Sequence, residues 1–259
     1  MVKEADYFEH QALADARNQI RLIQVQHCDE SGHGPLLQLS IKSVNREDAR
    51  KNYRALSYRW GDVYPLHSIR INNEAFEVQQ NLFDFLKHVS RKQTEDPAHW
   101  NGWWWVDALC IQQEDGDKEK PSQIEGMRQT YADALQTIVW LGPGTVESTR
   151  VMELLQRVLG SHDSNTSNAA LKEVQDLVSA DPCMIAAVGK AFGNAYWTRV
   201  WILQELAVSH ADGRERSVQD RLHVILGDFT TTWDRFFRIS HSLGHTRLPL
   251  ENQNDRAQY

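Results

Sequence analysis

"GWWWVDALCIQQEDGDKEKPSQIEGMRQTYADALQTIVWLGPG" occupies residues 102–144, and its reading decides the fold. The run 102–111 is apolar almost throughout and of strand length, which predicts a central strand. A charged loop, "QQEDGDKEK", follows it. A helix is predicted to start at "PSQIE", where Ser122 and Glu125 have capping-box spacing. Ile124, Met127, Tyr131 and Leu135 would form its inward stripe. "QTIVWLGPG" (136–144) reads as a second buried strand stopped by Gly-Pro-Gly. Strand, helix and strand in succession form a βαβ unit, so the two strands are expected to be parallel.

The pattern continues outward. "YRALSYRWG" (53–61) reads as a strand ending in a glycine. "SIRINNEAFEV" (68–78) reads as a hairpin turning at Asn72–Asn73. Leu82, Phe85, Leu86 and Val89 share one helical face. Upstream, "IRLIQVQ" (20–26) and "LLQLSIKSV" (36–44) alternate like strands across a turn-rich segment and read as another hairpin. Residues 1–19 are polar, with room for a short helix. Downstream, Val151, Leu154, Leu155, Val158 and Leu159 mark a helix, 161–168 is loop-like, and two helical stretches run through 169–192. A helix follows at 199–209, then a strand "RLHVILG" (221–227) and a helix around "TTWDRFFRI".

The expected fold is α/β, a central parallel sheet flanked by helices. It carries a β-rich N-terminal extension at 1–52 with its hairpin decoration. The core spans 53–243, with a helical insertion at 144–194. Residues 244–259 read as an irregular tail, open to truncation. Ligands of such sheets bind beyond the carboxyl ends of the strands. The segments that end strands therefore have first claim on function.

Composition narrows the classes. The formal charge of −7 argues against a nucleic-acid backbone as main partner. No run approaches the length of a membrane span, and residues 1–30 lack the apolar core of a secretory signal. Cys28, Cys110 and Cys183 are scattered, with neither zinc spacing nor a disulfide framework. A soluble, reducing, cytoplasmic setting is the expectation, with no metal. Phosphate loops, dinucleotide-type glycine fingerprints, serine elbows and metal-binding His pairs are absent from the sequence. Cys110 has no histidine near it in sequence and reads as inert packing.

The helix "RVWILQELAVS" (199–209) poses a sharper question. It is apolar nearly all round, yet holds Glu205 in its middle. A carboxylate there must be paired or must face a cavity. One reading pairs it with Arg199 or Arg59; the other makes it chemical. On a helix Thr198, Trp201 and Glu205 share a stripe, with Trp201 as a pocket wall. Arg59, at a strand end, suits bidentate phosphate contact or an ordinary salt bridge. Asp107, in an apolar run, must be hydrogen-bonded, and Gln113 has a similar place. Trp103, Trp104, Trp105 and Trp140 read as core, and Gly61 and Gly142 as backbone requirements.

Three ordered blocks carry a resemblance: "YRALSYRWGD", the stretch from "WWWVDALCIQQ" to "IVWLGP", and "YWTRVWILQELAVS". Together they resemble the HET (heterokaryon incompatibility) domain of filamentous fungi. Gln112 stands where that family usually has asparagine. The resemblance implies a cytosolic module that triggers cell death when unlike strains fuse. The blocks are also similar to TIR domains. Ser57-Tyr58-Arg59-Trp60-Gly61-Asp62 is similar to the stretch leading into the TIR ligand loop. Trp201 to Leu206 has the spacing of the TIR Trp-Cys-Leu-x-Glu-Leu helix. That likeness implies a TIR-like, flavodoxin-like sheet. It also implies cleavage of NAD as substrate, without cofactor or metal, with Glu205 catalytic. Ser57, Arg59, Trp60, Gly61, Asp62, Asp107, Gln113, Arg199 and Trp201 are then the candidate substrate contacts. A homo-oligomer on activation and an upstream recognition protein are implied partners. The competing reading is a non-catalytic, self-associating death-signalling adaptor.

Overall fold

The computed structural model describes residues 7–26, 37–114, 119–159, 176, 178, 180–199 and 221–244. Their centre is one nine-stranded mixed sheet, in the order β5-β4-β2-β1-β6-β3-β7-β8-β9. The strands are β1 (Gln19–Gln26), β2 (Gln38–Asn45), β3 (Tyr53–Tyr58), β4 (Leu66–Ile71), β5 (Glu74–Gln79), β6 (Trp103–Trp105), β7 (Gln136–Trp140), β8 (Leu222–Leu226) and β9 (Phe229–Thr232). The middle of the sheet, β6-β3-β7-β8, is parallel throughout. In its register Ala55 faces Trp105 on one side of β3, and Tyr58 faces Trp140 on the other.

The helices are α1 (Arg46–Ala49), α2 (Gln80–Glu95), α3 (Pro97–Trp100), α4 (Asp107–Cys110), α5 (Glu119–Glu125), α6 (Met127–Asp133), α7 (Val146–Leu159), α8 (Pro182–Phe192) and α9 (Trp233–Gly244). Successive side chains of a strand point to opposite faces, and β6 shows what that does. Trp104 meets Phe85 of α2 edge-on at 5.3 Å, while Trp105 meets Tyr131 of α6 edge-on at 5.4 Å. The two crossovers that flank β6 thus cover opposite faces of the sheet. Leu82, Phe85, Leu86 and Val89 are all buried, as their spacing predicts.

This wiring sets the site. From β3 the chain goes to β6 on one side; from β6 it returns past β3 to β7 on the other. The strand order reverses between β3 and β7, which opens a crevice beyond their carboxyl ends.

Both predicted hairpins form. β1 and β2 pair antiparallel, and β4 and β5 turn at Asn72 and Asn73, which have φ of 51° and 74°. The first hairpin is more than a decoration, because Ile23 of β1 pairs with Trp104 of β6 inside the same sheet.

Several expectations need correction. The run 102–111 is a strand only to Trp105. Asp107–Cys110 is a helical turn, with Leu109 and Cys110 donating to the Val106 carbonyl. Apolar composition alone cannot separate a buried strand from a buried turn. The capping box does not form. α5 begins at Glu119, so Ser122 lies inside it. Glu119 is anchored there by Arg21 of β1, with contacts of 2.5 and 2.8 Å. The stripe 124–135 is not one helix face. Gly126 separates α5 from α6, and Ile124 and Leu135 are about two-fifths exposed (42% and 44%). A Cβ on Gly126 would lie 2.6 Å from Arg46 Nη2, so the glycine makes room for that guanidinium. No helix forms at residues 7–19, where Tyr7 instead bridges to Ala75 of β5. β9 was not anticipated, because its four residues "FTTT" carry only a brief alternation.

Candidate functional site

The site grows from the carboxyl ends of β3 and β6. β3 delivers Tyr58, whose side chain is buried, and then Arg59 and Trp60, which are exposed. Gly61 follows with φ of +90°, a conformation that suits glycine, and turns the chain away. β6 delivers Asp107 at the first turn of α4. Asp107 is buried and well supplied with donors. Its Oδ1 accepts from the Ala108 N–H at 2.7 Å, and its Oδ2 from the Trp60 indole N–H at 2.9 Å. The Tyr58 hydroxyl also bonds to it, and the Arg199 charge acts on it. Burial still outweighs these donors and raises the carboxyl above its ordinary range. Tyr58 is pushed up as well, by burial first and then by Asp107, so its hydroxyl keeps the proton it donates.

A cavity of about 430 Å³ opens beside this network, within the usual size of small-molecule sites. Arg59, Trp60, Gly61, Asp107, Gln113 and Arg199 line it. Arg199 is placed by the 3-10 turn Ala195–Thr198, and its guanidinium donates to the Tyr58 carbonyl at the end of β3. Gln113 spends its amide N–H groups on the carbonyls of Asp107 and Ile111, at 3.1 and 3.0 Å, so it braces α4.

Not every candidate reaches this cavity. Ser57 is buried, with its hydroxyl 2.7 Å from the Tyr196 hydroxyl. Asp62 is exposed and does not line the cavity. Trp201 and Glu205 lie outside the described residues. Sequence reasoning missed four wall residues, Ile111, Lys120, Ile124 and Met127. Ile124 was legible as apolar but was assigned to the core; its exposure comes from the break at Gly126. Cys110 is fully buried, and burial pushes its thiol up to about 12, which keeps it a poor nucleophile.

A second cavity, of about 420 Å³, lies beyond the carboxyl ends of β3, β7 and β8, with Arg59, Leu141 and Leu226 in its wall. Its floor is the turn Gly142–Thr145 after β7, and Arg59 belongs to both cavities. Among the described residues no group of three or more His, Cys, Asp or Glu is set to hold a metal. Among them, too, no helix is long and apolar enough to cross a membrane.

The protein is thus a mixed α/β sheet with two cavities that share Arg59 at the carboxyl edge of its parallel strands. Residues 53–205, more than half of the sequence, match the family described as Heterokaryon incompatibility protein (HET), and the chain belongs to that family. It is similar to Heterokaryon incompatibility protein 6, OR allele, of Neurospora crassa, at 36% identity over 119 residues. That match takes in 41% of this chain and 17% of the relative's length. No solved structure matches the chain.

Proposed function

We propose that this HET domain is a cell-death effector that cleaves the nicotinamide–ribose bond of NAD. The observation that carries the reading is the cavity where Arg59, Trp60, Asp107 and Arg199 meet. Two features support it further. The parallel strands run in the order β6-β3-β7-β8, which is the 2-1-3-4 order of flavodoxin-like sheets, and the two cavities that share Arg59 lie at their carboxyl edge. Glu205 follows Arg199 by six residues, so chain length alone keeps it within about 20 Å of a residue that lines the cavity.

The chemistry suits these groups. Nicotinamide leaves as a neutral base when its bond to the ribose C1′ breaks, and water then supplies the hydroxyl and releases a proton. Positive charge develops on the ribose in between. One ionised carboxylate in a site shielded from water stabilises that charge. Glu205 takes this role in the proposal. Trp60 supplies a flat wall for the base, and Arg59 a partner for phosphate.

The test is incubation of the purified protein with NAD and chromatography of the products. Release of nicotinamide, lost on Glu205→Gln by about a hundredfold or more, is the expected result. Intact NAD, or equal turnover by wild type and variant, would reject it. A second reading, a self-associating adaptor, is favoured by the apolar loop after β3. Val63 and Tyr64 are 62% and 75% exposed there. That reading expects cell killing with undiminished NAD, and killing unchanged by Glu205→Gln.

A further inference from the structure

We infer that the second cavity holds the diphosphate of a dinucleotide, so that the ligand lies across Arg59 with one half in each cavity. The inference rests on the nucleotide reading above. The cavity lies beyond the carboxyl ends of β3, β7 and β8, beside the reversal of strand order, and open parallel sheets take their ligands at that edge. Its charge is of one sign. Arg59 and Lys190 line it, and no acid does among the described residues. Lys190 reaches it from the last turn of α8, Arg59 from the end of β3. An arginine and a lysine lining one cavity suit a diphosphate: the guanidinium takes two oxygens at once and the ammonium supplies a point charge.

The backbone leaves the space clear. A Cβ on Gly142 would meet nothing within 4 Å, so the turn presents open room there. The start of α7 is not the anion binder. Ser148 N–H is taken by Thr145 Oγ1 at 3.1 Å, and Thr145 N–H by Ser148 Oγ at 2.7 Å. Glu147, the acid beside the turn, is held by its own N–H and by Thr145. The two cations therefore carry the recognition. At about 430 and 420 Å³ the cavities are of similar size, and each sits low in the range for small-molecule sites. Both carry cations, but the first adds the apolar walls a base needs, from Trp60, Ile111, Ile124 and Met127, and an acid, Asp107, whereas the second sets its cations against no acid among the described residues. A dinucleotide needs both.

The test is calorimetry of the purified chain with ADP, which carries the diphosphate, and with nicotinamide, which carries none. Lys190 is exposed on α8, so its variants should fold. ADP should bind about tenfold more weakly to Lys190→Ala, and more weakly still to Lys190→Glu, with nicotinamide affinity unchanged. ADP binding that is absent at millimolar concentration, or equal in wild type and both variants, overturns the inference. So does inorganic phosphate that binds as tightly as ADP with the same dependence on Lys190, which would mark a site for the free ion. The two readings fail separately. Lys190-dependent ADP binding without NAD cleavage keeps the diphosphate site and removes the hydrolase. NAD cleavage with ADP binding indifferent to Lys190 does the reverse.

Discussion

The Trp60 indole donates to the Asp107 carboxylate at 2.9 Å, which ties the carboxyl end of β3 to the first turn after β6. One residue of the pair is a buried acid; the other is 37% exposed and forms the cavity wall. The buried acid thus orients a surface ring.

That relationship predicts the effect of Trp60→Phe. The ring survives but its N–H is lost, so the wall is free to tilt. Nicotinamide affinity should fall about tenfold, while stability changes by no more than about 1 kcal/mol, since water can replace the donor. Calorimetry and a thermal melt measure the two. A large loss of stability with unchanged affinity would make the contact a structural one.

His88 of α2 should make stability depend on pH. It lies among Trp100 and Trp140, and burial, aided by Arg91 and Lys92, lowers it from 6.5 to about 4. The folded protein keeps it neutral, so the unfolded chain binds more protons between those values. Its contribution is present above pH 6.5 and is lost as pH falls toward 4, by about 3 kcal/mol at most. His88→Phe should flatten that part of the profile. Urea midpoints at pH 4.5, 5.5 and 7 for both proteins check it, and parallel curves would refute it.

The Arg21–Glu119 pair should show what a buried ion pair costs to break. Its side chains are 3% and 7% exposed. Arg21 also donates to the carbonyls of Gln11 and Cys110, and Glu119 accepts from the Leu13 N–H. Glu119→Ala should cost about 3–5 kcal/mol, because it strands a buried guanidinium. Arg21→Met with Glu119→Leu should cost less than Glu119→Ala alone. Denaturant unfolding of the single and double variants measures this, and simple additivity would disprove it.

At the β4–β5 turn both central residues need positive φ, so Asn73→Ala should cost about 1 kcal/mol and Asn73→Gly close to nothing. Thermal melts order the three proteins. An alanine variant as stable as the glycine one would contradict the turn's role.

Much of this architecture was legible in the sequence. The strands at 53–58 and 136–140 are buried on both faces, and their short apolar cores, Ala55–Leu56 and Ile138–Trp140, made them legible. The Asn72–Asn73 turn announces itself through its residue type. What stayed hidden depends on partners distant in sequence. Glu119 of α5 is held by Arg21, ninety-eight residues before it, and no local pattern reports that. The turn at Asp107 looked like strand because Val106, Leu109 and Cys110 are apolar in either conformation. The same held for the site. Arg59, Trp60 and Asp107 could be singled out as residues at strand ends, but the 3-10 turn that brings Arg199 under Tyr58 could not. Nor could the second cavity, whose wall joins Arg59, the turn after β7, the end of β8 and residues 190–195.

The placement of β1 has a practical consequence. The family match begins at Tyr53, which invites trimming the protein there. Yet β1 is hydrogen-bonded to β6, and β2 to β4. Cutting before Tyr53 would leave β6 unpaired at Trp104 and remove the strand that joins the β4–β5 hairpin to the sheet. An uncovered strand of that kind seeks another chain. The portable unit of this domain, for transplantation or expression, therefore starts no later than β1, upstream of the point at which its family likeness becomes visible.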